Sequence, residues 1–374
     1  MSGVAVNCPS TKMATVPEDC KLSYNFLGRS GLKVANMCLG TGTFGNPGGS
    51  RPSQASEEYS HQMLDRYVQW GGNFIDTADV YSQGLSEKYL GSWLNKQSRD
   101  QLVIATKVRG IVPSGVGLSR RHIVKNIQNS LERLQTNYVD LYQMHCWDDG
   151  TPIEETLRTF HDLVRCGKVL YVGASNVLGW QLQKIACTTE KLGINPFISL
   201  QQQYNLACRE SEFEPFQVCK MEGFGVLPWG PLKGGLLSGK YTRDCPPTTG
   251  RHAWKKEKYP GSWDLIQEDD QIWAIVDAVR DIANTNGKSM AQVSLRWLLQ
   301  KDVVPSVIIG ATNLAQLDDN LGAGSGWTLS KEEMARLDKV SQPKIPYPYE
   351  MVWRQNKARC NLFQPSHLVS SWSN

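Results

Sequence analysis

None of the ten cysteines stands in a C-x-x-C spacing, and no short cluster of cysteine and histidine occurs. A structural zinc site and a secreted disulfide framework are therefore not signalled, and reduced thiols in the cytoplasm are the expectation. Charge of one sign is also missing. Forty Lys and Arg stand against 36 Asp and Glu, a net +4, too weak and scattered for a nucleic-acid footprint or a membrane-surface stripe. No apolar run approaches the roughly 20 residues of a membrane-spanning helix. The opening MSGVAVNCPSTKMATVPEDC lacks a basic region followed by an apolar one and carries Glu18 and Asp19, which argues against a secretory or mitochondrial presequence. These absences leave small molecules as the expected partners and the oligomeric state open.

What is present is an ordinary globular composition, 40% hydrophobic and 20% charged with 33 Gly, able to bury a large core. At 374 residues the chain exceeds the roughly 250 of one barrel but is short for two large domains, so one domain with extensions is expected. From about residue 22, short apolar or β-branched runs alternate with amphipathic stretches, the pattern of a parallel sheet with helices outside it. YNFLGRSGLKV reads as a hairpin turning at Gly28 to Gly31. Eight strand candidates follow: ANMCLG, NFI before Asp76, LVIAT before Lys107, VDLYQM before His145, VLYVGA before Ser175, FISL before Gln201, GVLP before Trp229 and SVII before Gly310. Ser119 can cap a helix whose Ile123, Ile127, Leu131 and Leu134 share a face. Thr151 with Glu154, and Ser330 with Glu333, have capping-box spacing, the former with Pro152 at the first helical position. Residues 230 to 262 form a long Gly/Pro-rich basic connection, in which RHAWKKEKY reads mostly as a solvated loop. Residues 343 to 374 form a tail with no clear period. Periodicity alone fits a doubly wound sheet or a closed barrel.

Reactive side chains fall in one class of place. Asp76, Lys107, His145, Ser175 with Asn176, Gln201, Trp229 and Gly310 each lie just after a predicted strand, and in a barrel all strands end on the face that holds the active site. Any one of them read alone is a polar residue ending a strand; a strand-end Asp near a Lys is an ordinary ion pair, and a loop Tyr is ordinary packing. Seven in chain order favour a site. Two nucleotide-binding patterns fail on context. GTGTFG, residues 40 to 45, is followed by NPGGSRPSQ, which cannot open the helix a pyrophosphate needs, and GGLLSGKY ends in Tyr where magnesium requires Ser or Thr. Both failures weaken the doubly wound alternative.

Together NFIDTADVYSQGLSE, VIATKV, RHIVKNIQNSLERLQTNYVDLYQMH, VGASN, LQQQYN, LPWGPLKGGLLSGKY and IIGATNLAQLDDN make the chain resemble the aldo-keto reductases over about residues 22 to 342. The resemblance is to the branch that includes aryl-alcohol dehydrogenase-like enzymes and potassium-channel beta subunits. It implies an α/β fold, a (β/α)8 TIM barrel, with a flexible extension over 1–21 and a tail over 343–374 near the substrate pocket. It further implies NADPH/NADP+ as cofactor, no metal, and reversible reduction of an aldehyde or ketone. The family's catalytic tetrad falls on Asp76, Tyr81, Lys107 and His145. Tyr81 would protonate the carbonyl oxygen, a task for which a phenol is a reluctant acid. A Lys107 ammonium favours the phenolate, Asp76 keeps that lysine charged, and His145 can donate a hydrogen bond to the substrate oxygen.

Ser175, Asn176 and Gln201 are implied to bond the nicotinamide carboxamide, and Trp229 to stack on its ring. Lys240 and Arg251 are implied to meet phosphates. Thr312, Gln316 and Asn320 recur at four-residue spacing on one face at the start of a helix, where anions bind readily. Gly42, Thr43, Gly230, Pro231, Leu232, Gly310 and Asp319 complete the implied cofactor contacts. Phe44, where some relatives carry Trp, and Trp147 are expected at the substrate pocket, with tail aromatics such as Trp353 nearby, suiting an apolar or aromatic carbonyl compound. The alternative is a cofactor-binding beta-type subunit with little turnover. Such relatives depart from histidine at the position of His145, so its presence here favours catalysis.

Overall fold

The computed structural model describes residues 21–48, 54–111 and 115–360. The expected extension before Lys21 and the tail beyond Cys360 lie outside the described residues. Strands β1 (Tyr24–Phe26) and β2 (Lys33–Ala35) form the expected antiparallel hairpin. Eight parallel strands follow: β3 (Met37–Gly40), β4 (Phe74–Asp76), β5 (Val103–Val108), β6 (Val139–Met144), β7 (Val169–Ser175), β8 (Phe197–Gln203), β9 (Gly225–Trp229) and β10 (Val307–Ile309). They pair in the order β10-β3-β4-β5-β6-β7-β8-β9, and β9 lies beside β10. Strictly sequential neighbours closing on themselves, with helices between them, make a (β/α)8 barrel; a doubly wound sheet would reverse its order midway.

Alternation along each strand sorts the side chains. Cys38, Phe74, Ala105, Leu141, Ile198, Leu227 and Ile308 fill one apolar cluster inside the barrel, together with Leu27 and Val34 of the hairpin. The opposite faces, including Leu39, Ile75, Ile104, Tyr142 and Val226, join the larger layer beneath the helices. The hairpin closes one end of the barrel, and its turn requires glycine. Gly28 has φ +58°, and a Cβ there would stand 2.2 Å from the Ile198 carbonyl oxygen.

Local signals met three outcomes. The Ser119 hydroxyl accepts from the His122 N–H, and Ser330 and Glu333 make both bonds of their capping box. Thr151 behaves differently. Its hydroxyl donates to Asp148 Oδ2 at 2.8 Å, and the helix over Ile153–Arg165 starts one residue later than the motif implies, with Pro152 as an N-cap that has no side-chain oxygen to accept from the first turn. The basic run expected as a loop is a helix over Gly250–Lys258, whose His252 is buried edge-on against Tyr241 and Trp263. The tail also becomes helical over Tyr349–Cys360, with Tyr349 and Trp353 stacked on Phe213 at ring distances of 5.3 and 6.0 Å. Among the described residues no helix is long and apolar enough to cross a membrane.

A buried ionic network ties the segment after β8 to the helix Lys331–Val340. Arg209 grips both carboxylate oxygens of Glu212 at 2.7 and 3.0 Å and donates to the Asp338 carbonyl oxygen and the Ser341 hydroxyl at 2.8 and 2.7 Å. Tyr204 donates to Glu212 at 2.6 Å, and Lys301 reaches Asp338 at 2.6 Å.

Candidate active site

The strand ends bring four of the predicted residues together. Lys107 in β5 places its Nζ 2.5 Å from Asp76 Oδ1, 2.7 Å from the Thr77 carbonyl oxygen and 3.3 Å from the Tyr81 hydroxyl. Adjacent parallel strands set Asp76 beside Ala105 in register, so the carboxylate and the ammonium meet without loop rearrangement. The His145 N–H donates to the Val108 carbonyl oxygen at 2.8 Å, which holds the segment after β6 beside the end of β5. Its ring lies 6.0 Å from that of Tyr81, at 77°.

The turn that carries Tyr81 is strained. Ser82 and Gln83 have φ of 49° and 57°, a left-handed conformation uncommon for residues other than glycine. Side-chain bonds hold it there: Ser82 donates to the Phe44 carbonyl oxygen and accepts from Gln54, each at 2.7 Å.

Lys107 has no exposed surface and Asp76 has 1%. Burial alone would push the Lys107 ammonium down, but the Asp76 carboxylate and the Tyr81 hydroxyl outweigh it and hold the lysine above its ordinary range. Two amides complete the pair: Gln143 and Gln201 both donate to Asp76 Oδ2, at 3.1 and 2.9 Å. Gln143 was missed from sequence. Its signal was an amide in a strand whose six residues are all buried, a polar group that must find a partner. In this structure the Gln201 amide is engaged by Asp76 and Gln143.

The other implied contacts divide by exposure. Asn176, at φ 51°, donates to the His145 carbonyl oxygen and to the Ser175 hydroxyl at 2.9 Å each and accepts from the Trp229 indole at 3.1 Å. The half-buried indole is therefore fixed in orientation. A Cβ added at Gly230 or Gly310 would meet nothing within 4 Å, and one at Gly42 would stand 3.8 Å from the Tyr81 ring. Thr43 is half-buried, Pro231 buried and Leu232 half-buried. Lys240, Arg251, Thr312 and Gln316 are exposed. Thr312 precedes the helix Leu314–Leu321 rather than sharing its face, and binds the Gln316 side chain through its N–H and hydroxyl. Asn320 is buried and donates to the Gly310 carbonyl oxygen, and Asp319 accepts from Ser289.

Phe44 is wholly buried in the core. It supports the Tyr81 turn through its backbone, and its ring offers no surface to an open pocket. Trp147 is half-buried, pinned by Asp149 at 3.0 Å and edge-on to the exposed Trp180 at 5.6 Å. Trp353, packed on Phe213, belongs to the tail contact.

Behind Tyr81 lies a second acidic group. Asp79 is 1% exposed, and neither carboxylate oxygen has a hydrogen-bond partner. Nearby Glu87 is satisfied by Thr106 at 2.6 Å and Arg133 at 2.7 Å. Burial first and the Glu87 charge second push the Asp79 carboxyl up to about 7, with the Arg133 and Lys107 charges offsetting only in part.

A carboxyl raised in the folded state stabilises the fold when protonated, and that stability drains as pH climbs from its ordinary value near 3.8 to about 7. Asp79→Asn cannot ionise. Its stability relative to wild type should improve by roughly 2–3 kcal/mol between about pH 5 and about pH 8. Urea unfolding at both pH values checks this, and an unchanged gap between the two proteins would show that Asp79 does not titrate in that window.

Comparison with known proteins agrees with the barrel fold. The model of the aldo/keto reductase family matches residues 36–342. An uncharacterised oxidoreductase of Bacillus subtilis is 33% identical over 85% of this chain and 96% of its own. The versiconal hemiacetal acetate reductase of Aspergillus parasiticus is 34% identical over 88% of this chain and 100% of its own. A probable voltage-gated potassium channel subunit beta of Arabidopsis thaliana is 33% identical, again over 88% and 100%. On the sequential barrel and this match across nearly all of it, the chain belongs to the aldo/keto reductase family.

Proposed function

We propose that the protein reduces aldehydes or ketones with NADPH, reversibly, with Tyr81 as proton donor. The observation that carries this reading is the Lys107 Nζ, which reaches the Asp76 carboxylate at 2.5 Å and the Tyr81 hydroxyl at 3.3 Å. Lys107 holds a full charge beside the phenol, so loss of the Tyr81 proton to a substrate oxygen creates an anion next to a fixed cation. That charge is in place before the reaction, the condition under which electrostatic stabilisation is largest. His145 flanks Tyr81 and can donate to the same oxygen. Asp76, held by Gln143 and Gln201, keeps the ammonium from drifting toward solvent.

The residues fit a nicotinamide dinucleotide. Asn176 and Ser175 supply a neutral amide and hydroxyl beside the fixed Trp229 indole, Gly230 and Gly310 border open space, and the exposed Lys240 and Arg251 suit phosphate, including a 2′-phosphate. When bound, that cofactor supplies the hydride. Trp147, two residues after His145, and Trp180 edge-on to it supply aromatic surface near that end of the barrel, which supports an apolar or aromatic carbonyl substrate.

The test is NADPH consumption, followed by absorbance, with aromatic and aliphatic aldehydes. Turnover with a preference for aromatic aldehydes is the expected result. Binding of NADPH without turnover of any carbonyl compound would instead favour the binding-subunit reading that the similarity to the channel subunit motivates.

A further inference from the structure

Arg109 stands two positions beyond Lys107, between the segment that carries Tyr81 and the one that carries His145. On one side, Gly110 packs so tightly on Val80 that an added Cβ would lie 1.9 Å from its Cγ1. On the other, the carbonyl of Val108 accepts from the His145 N–H. Arg109 itself has φ 137°, a conformation a side-chain-bearing residue keeps only where its surroundings enforce it, and the Gly117 N–H bonds its carbonyl oxygen at 3.1 Å.

The guanidinium is not consumed by the fold. Its Nε is buried without a hydrogen-bond partner, and among the described residues nothing pairs with the head group by hydrogen bond or ion pair. The anion that senses its charge is Asp148. Burial alone would raise this carboxyl, but the Leu118 N–H, the Thr151 hydroxyl, the Gly150 N–H and the Arg109 charge together hold it below its ordinary value. Its oxygens are engaged by Leu118 at 2.7 Å, Thr151 at 2.8 Å and Gly150 at 3.1 Å. Asp148 thus attracts Arg109 without capping it. A planar fork of donors without a partner among the described residues, on the residue two positions after Lys107, matches a carboxylate or another planar oxyanion.

We propose that Arg109 receives an anionic group on the carbonyl substrate, so that the preferred substrates are aromatic oxo-acids: a carbonyl at Tyr81 and His145, an aryl body along Trp147, and a carboxylate at Arg109. This rests on the reductase reading above and narrows its substrate class.

The experiment compares kcat/KM for para-formylbenzoate and for its uncharged methyl ester in wild type, Arg109→Met and Arg109→Lys, with NADPH binding measured by tryptophan quenching to certify each fold. The acid should be preferred by wild type by roughly 10- to 100-fold, the equivalent of one hydrogen bond to a charged group. Arg109→Met should abolish that ratio, and Arg109→Lys, which keeps the charge but not the fork, should retain part of it. Added salt, at saturating NADPH, should shrink the wild-type acid-to-ester ratio. Equal use of both substrates by wild type, or a preference that survives Arg109→Met, overturns the proposal while leaving the reductase intact. Reduction of neither substrate, with NADPH still bound, removes the reductase reading and this inference with it.

Discussion

Tyr81→Phe is expected to lower kcat roughly 10²- to 10⁴-fold, the range associated with a single general acid. The change deletes one oxygen and leaves the ring that packs near His145. Lys107 keeps its bonds to Asp76 and the Thr77 carbonyl oxygen, so the buried pair survives and the fold is not challenged. What is lost is the proton, together with the anion that Lys107 would stabilise as that proton leaves. Steady-state rates alongside tryptophan quenching by NADPH separate the two effects: the variant should bind the cofactor and fail to turn over. Activity within tenfold of wild type would move the proton-donor role to His145. Lys107→Met makes an instructive contrast, because it strands the Asp76 carboxylate in a site with 1% exposure and should fail through stability as well as rate.

Arg209→Ala should destabilise the fold by about 3–5 kcal/mol, the penalty for removing one partner of a buried ion pair. The bonds lost include two to the Glu212 carboxylate and two to the end of the helix Lys331–Val340, at the Asp338 carbonyl and Ser341. Glu212, 6% exposed, keeps only the Tyr204 hydroxyl and must shift or take up a proton. The same substitution at Arg120, whose bond to Asp162 lies between side chains 53% and 43% exposed, should change stability by less than about 1 kcal/mol. Urea midpoints of the two variants side by side test the contrast. A loss at Arg209 as small as that at Arg120 would mean that water enters the network and satisfies Glu212.

The barrel was legible because the strands are short, mostly apolar runs and several end in or are followed directly by a reactive side chain, as with Asp76, His145 and Ser175, and the end of a strand is where a parallel barrel exposes chemistry. Asp76, Lys107 and His145 could be placed on that rim from sequence for this reason. Closure could not, since an alternating pattern carries no information on whether β10 returns to β3. The support of the site was equally hidden. Gln143 and Gln201 converge on one oxygen of Asp76 from 67 and 125 residues away, and only the strand order brings them there. The tail helix was illegible because its partner surface is distant in sequence; the Tyr349 hydroxyl bonds Glu214 across 135 residues. Thr151 shows the converse failure: the capping-box spacing is present, but the helix starts one residue later, at Ile153 with Pro152 as its N-cap, and the Thr151 hydroxyl turns to Asp148 instead.

The ladder that joins β3 to β10 pairs Met37 with Val307 and Leu39 with Ile309, partners separated by roughly 270 residues. During synthesis, the first barrel strand therefore leaves the ribosome long before its second neighbour exists. Until then one edge of β3, with its unpaired N–H and C=O groups, is a template for any other extended chain. Contacts of such sequence separation also make folding slow. Most of the vulnerability of this protein to self-association thus lies in the interval before residues 307 to 309 arrive, and substitutions that weaken that last strand should reduce soluble yield far more than they reduce the specific activity of the molecules that fold.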